Sequence, residues 1–338
     1  MIIFFSLWLI IVQITSIQLP SMKYKSLLTK NYSKRWLHNI VQRQSATNPY
    51  CNLCCLNITQ DVILKDCKFH TMCIYKINET GQHCRGLMPV QFTEAEKYTL
   101  LDAHNTLRNT VASGNESRGS QGAQPPAANM RKLEWDDELA VIAETWTRQC
   151  QETSDRCRDV ERFPVGQNVG SDYASKSSHL GFIHMWYESV VNFSSEDVAH
   201  YTKQASTEKY TQIVWAETYR VGCARAVFQK VNNYDVIYQE ILVCNYGPAG
   251  NIPGQQVYMK GTPCSACYEG SRCESDYPSL CARIGKVPVV NILNNNTNFG
   301  SGAIKVVHTE VNYNGKLSNF NLHIQPLLLN FILSLSFV

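Results

Sequence analysis

The chain has 338 residues, enough for more than one typical domain and for a sizeable core. Apolar residues make up 44% and charged residues 17%, which excludes a disordered or fibrous chain. The net charge of +3 conceals an asymmetry: residues 1–50 hold six Lys or Arg and no Asp or Glu, so the remainder sums to −3, and nucleic acid is excluded as a partner for want of clustered positive charge.

Along the chain, residues 1–17 read as a secretory signal peptide. Ile2 to Val12 is an uncharged apolar run, and small or polar residues follow at Thr15 and Ser16, so cleavage is expected near Ser16 to Gln18. The run lacks a basic n-region and is shorter than the roughly 20 residues of a spanning helix. Fourteen cysteines, an even number, point to an oxidising compartment and a disulfide framework. Six N-x-S/T sequons, at Asn31, Asn57, Asn78, Asn115, Asn192 and Asn295, fit passage through the secretory pathway and are candidate glycosylation sites.

Residues 18–50 are basic, polar and aperiodic, and read as a linker or processed segment. Residues 51–92 form a Cys-rich extension containing Cys51, Cys54, Cys55, Cys67, Cys73 and Cys84. Cys51-x-x-Cys54 matches half of a zinc knuckle, but no second C-x-x-C stands at knuckle spacing, so disulfides are the expectation.

The main domain is expected over 93–252. Thr93 and Glu96 form a capping box, and Tyr98, Leu101, Leu107 and Val111 predict a helix running to about Ser113. Gly114, Gly119, Gly122 and Pro125-Pro126 predict a loop. Leu139, Ile142, Ala143 and Trp146 predict a helix starting at Asp136, and a third is expected over Leu180–Val191. Thr211–Trp215, Val221–Phe228 and Val236–Val243, rich in β-branched and aromatic residues, read as strands. Helices first and strands later give an α+β class. Residues 253–285 carry Cys264, Cys267, Cys273 and Cys281 in a Gly/Pro/Ser-rich context and read as a small hinge with two bridges; 286–338 is a polar tail with an apolar C-terminus.

Four segments in order carry a specific resemblance: His104-Asn105-Thr106-Leu107-Arg108, Gly166-Gln167-Asn168-Val169, Tyr210-Thr211-Gln212-Ile213-Val214-Trp215, and Cys244-Asn245-Tyr246-Gly247-Pro248-Ala249-Gly250-Asn251. They resemble the HNxxR, G-[EQ]-N-[ILV], YTQxVW and CNYxPxGN motifs of the CAP superfamily (cysteine-rich secretory, antigen 5, pathogenesis-related 1). Residues 51–285 are similar in particular to its insect venom allergen 5 branch, including Pro125-Pro126-Ala127 and Cys157-Arg158-Asp159-Val160. The resemblance implies a three-layer α-β-α sandwich. It also implies the pairs Cys51–Cys73, Cys55–Cys157, Cys84–Cys150 and Cys223–Cys244, leaving Cys54 with Cys67.

Many CAP domains line a central cleft with two His and two Glu that hold a divalent metal. The matching positions here are Ser154, Gln167, Ser189 and Lys209. A charged Lys has no lone pair to offer, and Ser and Gln are weak ligands, so neither a zinc site nor any other cofactor is expected. Glu188, one residue from Ser189, is turned about 100° around a helix and does not substitute. His104 reads as a structural helix residue. No G-x-S-x-G elbow is present and the cysteines read as paired, so catalysis is not expected, a CAP-associated hydrolase or protease being the alternative.

Two binding roles remain from the resemblance. One is carriage of a sterol or fatty acid, with Phe193 and Tyr201 of the 192–206 loop as the lining candidates. The other is a disulfide-rich scaffold that binds an extracellular protein. A membrane role would require a GPI anchor, which the sequence disfavours: Ser301-Gly302-Ala303 is followed by too long a spacer, and Asn314-Gly315-Lys316 has a poor third residue.

Overall fold

The computed structural model describes residues 48–284, apart from 60–61, 67, 83, 177 and 233–234, together with strands at 289–292, 304–311 and 317–324. The signal and linker segments, Asn31, Cys67, Asn295 and the apolar C-terminus lie outside the described residues. Contacts divide the chain into two units, Met1–Ala282 and Arg283–Val338.

In the first unit the elements are β1 (Cys55–Thr59), β2 (Val62–Asp66), α1 (Thr71–Ile74), β3 (Arg85–Val90), α2 (Glu94–Ala112), β4 (Glu134–Trp135), α3 (Asp137–Thr147), β5 (Gly166–Tyr173), α4 (His179–Tyr187), α5 (Glu208–Ile213), β6 (Arg220–Asn232), β7 (Asp235–Gly247), β8 (Ser271–Cys273) and β9 (Cys281–Arg283). The second unit contains an antiparallel sheet in the order β10 (Val289–Ile292), β11 (Ile304–Val311), β12 (Leu317–Ile324).

Helix α2 starts at the capping box: Glu96 N donates to Thr93 Oγ1 at 3.2 Å, and Thr93 N donates to Glu96 Oε2 at 2.8 Å. Its buried residues, Leu100, His104, Asn105, Arg108, Val111 and Ala112, recur at helical spacing and form one face. Helix α3 is capped by Asp136, whose Oδ1 accepts from Leu139 N at 3.1 Å. Helix α4 is shorter than the expected Leu180–Val191 and tightens into a 3-10 turn over Glu188–Asn192.

The main sheet runs β3-β6-β7-β5, antiparallel, with β4 parallel to the start of β6. Side chains alternate across it. Cys223, Leu242, Cys244 and Tyr246 join one core with Leu100, Trp186 and Tyr210 of α2, α4 and α5. Ala224, Ala226, Phe228, Ile241 and Val243 join a second with Ala143 and Trp146 of α3. Helices on both faces of one sheet make a three-layer α-β-α sandwich. Gly222 lets α3 approach the sheet closely, since a Cβ there would lie 2.3 Å from Ala140 N.

The expected strand over Thr211–Trp215 does not form: Thr211–Ile213 end helix α5, with Val214 at its C-cap, and Trp215 follows outside any strand. Tyr210 to Ile213 are all buried, and Tyr210 packs edge-on to Tyr187 with ring centroids 5.4 Å apart. A short, wholly buried run of β-branched and aromatic residues carries no periodicity that separates helix from strand.

The flanking Cys-rich segments are integrated into this unit. The extension supplies edge strand β3, and His70 and Met72 are buried against the domain. In the 253–285 segment, Val257, Tyr258 and Leu280 belong to the larger core, and Cys281 N donates to Met130 O at 2.7 Å. The described pairs are Cys51–Cys73, Cys55–Cys157, Cys84–Cys150, Cys223–Cys244, Cys264–Cys273 and Cys267–Cys281. Cys54 is also disulfide-bonded, and no described cysteine is free.

Candidate functional site

The four motifs, far apart in sequence, meet in one place. His104 is fully buried on α2: its Nδ1 donates to Leu100 O at 2.7 Å, the i−4 carbonyl of its own helix. Its Nε2 then carries the lone pair that accepts from Tyr246 Oη at 2.9 Å. Burial lowers the imidazole to about 4 and raises the Tyr246 phenol. Four residues on, Arg108 is also fully buried and has no carboxylate partner within the motif cluster. Its guanidinium donates to the carbonyls of Arg131, Ile213, Trp215 and Thr218 at 2.6–3.0 Å and to that of Ala216 at 3.4 Å. Desolvation lowers it to about 9.

The other motifs interlock in the same way. Asn168 Nδ2 donates to Lys209 O at 3.0 Å, joining β5 to α5. Thr211 Oγ1 donates to Asn251 Oδ1 at 2.6 Å, and Gly250 N donates to Gln212 Oε1 at 3.0 Å. A Cβ at Gly166 would stand 2.0 Å from Gln212 Oε1, so a side chain there would push the Gln212 amide from its place on Gly250 N. Asn245 donates to Leu139 O at 3.0 Å. These polar side chains are bound to one another or to backbone carbonyls.

Ser154 lies in the loop before β5, Gln167 on β5, Ser189 in the turn after α4, and Lys209 on α5. Gln167 Oε1 accepts from Asp155 N at 3.1 Å, which sets it beside Ser154, whereas Lys209 is reached only through its backbone carbonyl, by the amide of the next strand residue, Asn168. Gln167 Nε2 donates to Asn245 Oδ1 at 3.0 Å, so both ends of the amide are occupied. Ser189 Oγ donates to Trp186 O at 2.8 Å within its own turn. Partial desolvation lowers the Lys209 ammonium, although the residue reaches the surface. Glu188 is turned away and holds Arg118 through both carboxylate oxygens at 2.9 Å. No imidazole and no carboxylate stands at the four positions, so the donor set does not fit a zinc ion. Among the described residues the one His/Cys/Asp/Glu group close enough to share an ion is Cys264, Cys267 and Cys281, whose sulfurs are in disulfides. Among the described residues no serine hydroxyl is hydrogen-bonded to a histidine.

Beside the cleft, Glu116 is buried. Burial alone would raise its carboxyl, but Arg118 at 2.9 Å and Tyr187 Oη at 2.7 Å outweigh that and hold it to about 2. No motif in the sequence points to this network or to Asp155.

In the 192–206 loop, Phe193 and Tyr201 are each 1% exposed. Phe193 packs on Tyr210 and Tyr201 on Trp215, with centroids 5.5 and 5.6 Å apart. The loop is pinned by Val257 N to Val198 O and Tyr201 N to Gln255 O, both 2.8 Å. Both rings therefore serve as core, and a ligand beneath the loop would have to displace them. Of the sequons, Asn78, Asn115 and Asn192 are exposed, as an acceptor must be, and the side chain of Asn57 lies outside the described residues.

A three-layer sandwich with two disulfide-rich flanks, in which the four motifs are hydrogen-bonded to one another, defines the class, and comparison with known proteins agrees. Residues 101–246 match the cysteine-rich secretory protein (CAP) family. Venom allergen 3 of Solenopsis invicta is 42% identical over 224 residues, covering 63% of this chain and 89% of that protein. Venom allergen 5 of Microctonus hyperodae is 39% identical over 195 residues, 56% of this chain and 82% of that one. A crystal structure of Na-ASP-1 aligns with a TM-score of 0.48 and 27% identity over 61% of this chain and 51% of that one. The chain belongs to the CAP family, with venom allergens 3 and 5 among its relatives.

Proposed function

We propose that this chain is an extracellular binding protein that performs no chemistry in its cleft. The observation that carries the reading is the set of side chains at the four cleft positions. Ser154, Gln167, Ser189 and Lys209 offer no metal ligand set, and the Gln167 amide and Ser189 hydroxyl are occupied by neutral hydrogen bonds. The disulfide framework and the secreted venom relatives support an extracellular setting. Of the two occupants that the family resemblance implies, the pinned 192–206 loop favours an extracellular protein bound at the surface over a sterol or fatty acid beneath the loop. Equilibrium dialysis of the purified protein against zinc tests the cleft: no stoichiometric uptake is expected, and one tightly held equivalent refutes the reading. Soaking with a radiolabelled sterol and fatty acid tests the occupant: saturable uptake would restore the lipid carrier.

A further inference from the structure

The sheet has a notch in one edge. Strand β6 is paired with β4 at Arg220 and Val221 and with β3 from Arg225 onward, so among the described residues no strand neighbours 222–224 on that side. Helix α3 flanks the notch on one face and the first turn of α2 on the other. The space left is a cavity of about 190 Å³. It lies away from the four cleft positions, and none of the motif polar groups lines it.

Three features of the walls define what fits. Phe92, Trp135 and Val141 line it and are only half-buried, so flat apolar surface faces an open space. An apolar cavity of about 150 Å³ accepts benzene, so this volume suits one substituted or fused ring. On α3, Asp137 and Glu144 stand two turns apart on the same face, with Ala140 and Val141 between them. Asp137 Oδ1 accepts from Trp135 Nε1 at 3.1 Å and Glu144 Oε1 from Arg148 at 2.8 Å, while Asp137 Oδ2 and Glu144 Oε2 have no partner among the described residues. The cation at the rim, Lys97, is held 2.9 Å from Glu94 and lies 5.7 Å above the Trp135 ring, so that ring already receives an ammonium. Gln91 Nε2 also donates to Glu144 Oε1 at 3.0 Å, and Arg225, 5.0 Å over the Phe92 ring, is held by Glu96 at 2.6 Å; Glu94, Asp137 and Glu144 therefore face two cations, Lys97 and Arg148, which leaves the rim acidic.

We propose that this notch binds an arylalkylamine, its ring between Phe92 and Trp135 and its ammonium on Glu144 Oε2, whose side chain is 25% exposed against 55% for Asp137. Apolar walls with a few placed polar and charged groups are the pattern of a small-molecule site. The site is independent of the cleft, so its failure leaves the reading of the cleft untouched.

Isothermal titration of the full secreted protein with tryptamine tests this, with indole-3-propionate as the probe of opposite charge. Tryptamine is expected to saturate one site with a Kd on the order of 10–100 μM. Ala140→Leu, which fills the cavity with a good helix former, is expected to weaken binding at least tenfold, and Glu144→Gln, which keeps the side chain's shape and lies outside the core, at least fivefold. Indole-3-propionate is expected to bind at least tenfold more weakly than tryptamine. The proposal is overturned if tryptamine fails to saturate folded wild-type protein, if the Glu144→Gln protein binds it unchanged, or if the carboxylate binds as well as the amine.

Discussion

Acidification should destabilise this fold through His104. Both imidazole nitrogens are committed in the neutral form: Nδ1 donates to Leu100 O, and Nε2 accepts from the Tyr246 hydroxyl. Protonation would turn Nε2 into a donor facing the Tyr246 oxygen in a site with no accessible surface. The imidazole lies at about 4 in the folded chain against 6.5 when exposed. Because the folded value is depressed, the unfolded chain binds the proton first. The stabilisation is therefore complete above pH 6.5, is lost as pH falls from 6.5 towards 4, and does not fall further below that. The shift corresponds to a limit of about 3.4 kcal/mol, and about 2.5 kcal/mol of it is lost between pH 7.5 and 4.5. Urea unfolding at these two pH values, disulfides intact, measures it. His104→Gln is less stable at pH 7.5 but cannot titrate at this position. Its stability should fall by about 2.5 kcal/mol less than that of the wild type over the same interval, His70 and His179 contributing alike to both. Equal losses in the two proteins would refute the assignment of a buried neutral imidazole.

Other substitutions test other parts of the account. Arg108→Met leaves the carbonyls of Arg131, Ile213, Trp215 and Thr218 buried without their donor, a cost of about 5 kcal/mol or more, so the variant should fail to accumulate in the medium of secreting cells. Tyr187→Phe removes a charge-assisted bond to Glu116 and should cost about 1.5–3 kcal/mol in urea unfolding at pH 7. Thr93→Ala removes one half of the α2 capping box and should cost only about 1 kcal/mol in the same assay. Restoring imidazoles and carboxylates at all four cleft positions, by Ser154→His, Gln167→Glu, Ser189→Glu and Lys209→His, should confer stoichiometric zinc binding in equilibrium dialysis.

Much of the fold was legible where a local signal decides structure. Thr93 and Glu96 announce the start of α2, Asp136 the start of α3, and the β6 and β7 segments alternate across a two-sided sheet. The Thr211–Trp215 segment reads as a strand but is not one, because its shape is set by what packs around it: Tyr187, Phe193 and Asn251 all come from elsewhere in the chain. Strand β5 was hidden in the same way, since Gly166 and Asn168 are dictated by contacts to α5 and carry no strand propensity. At the cleft, the residue types at 154, 167, 189 and 209 could be read directly. The partners that hold them, Asp155, Asn245 and the Trp186 carbonyl, required the folded chain. The notch was invisible, because it exists only through the offset between the strands that pair with β6.

The central claim is a metal-free cleft in a fully oxidised binding protein. Native mass spectrometry of the protein secreted from a eukaryotic host, set beside its denatured mass, tests that claim most directly. The account predicts fourteen oxidised cysteines and no mass difference the size of a zinc ion between the two spectra. One zinc equivalent, present in the native spectrum and lost on denaturation, would contradict it.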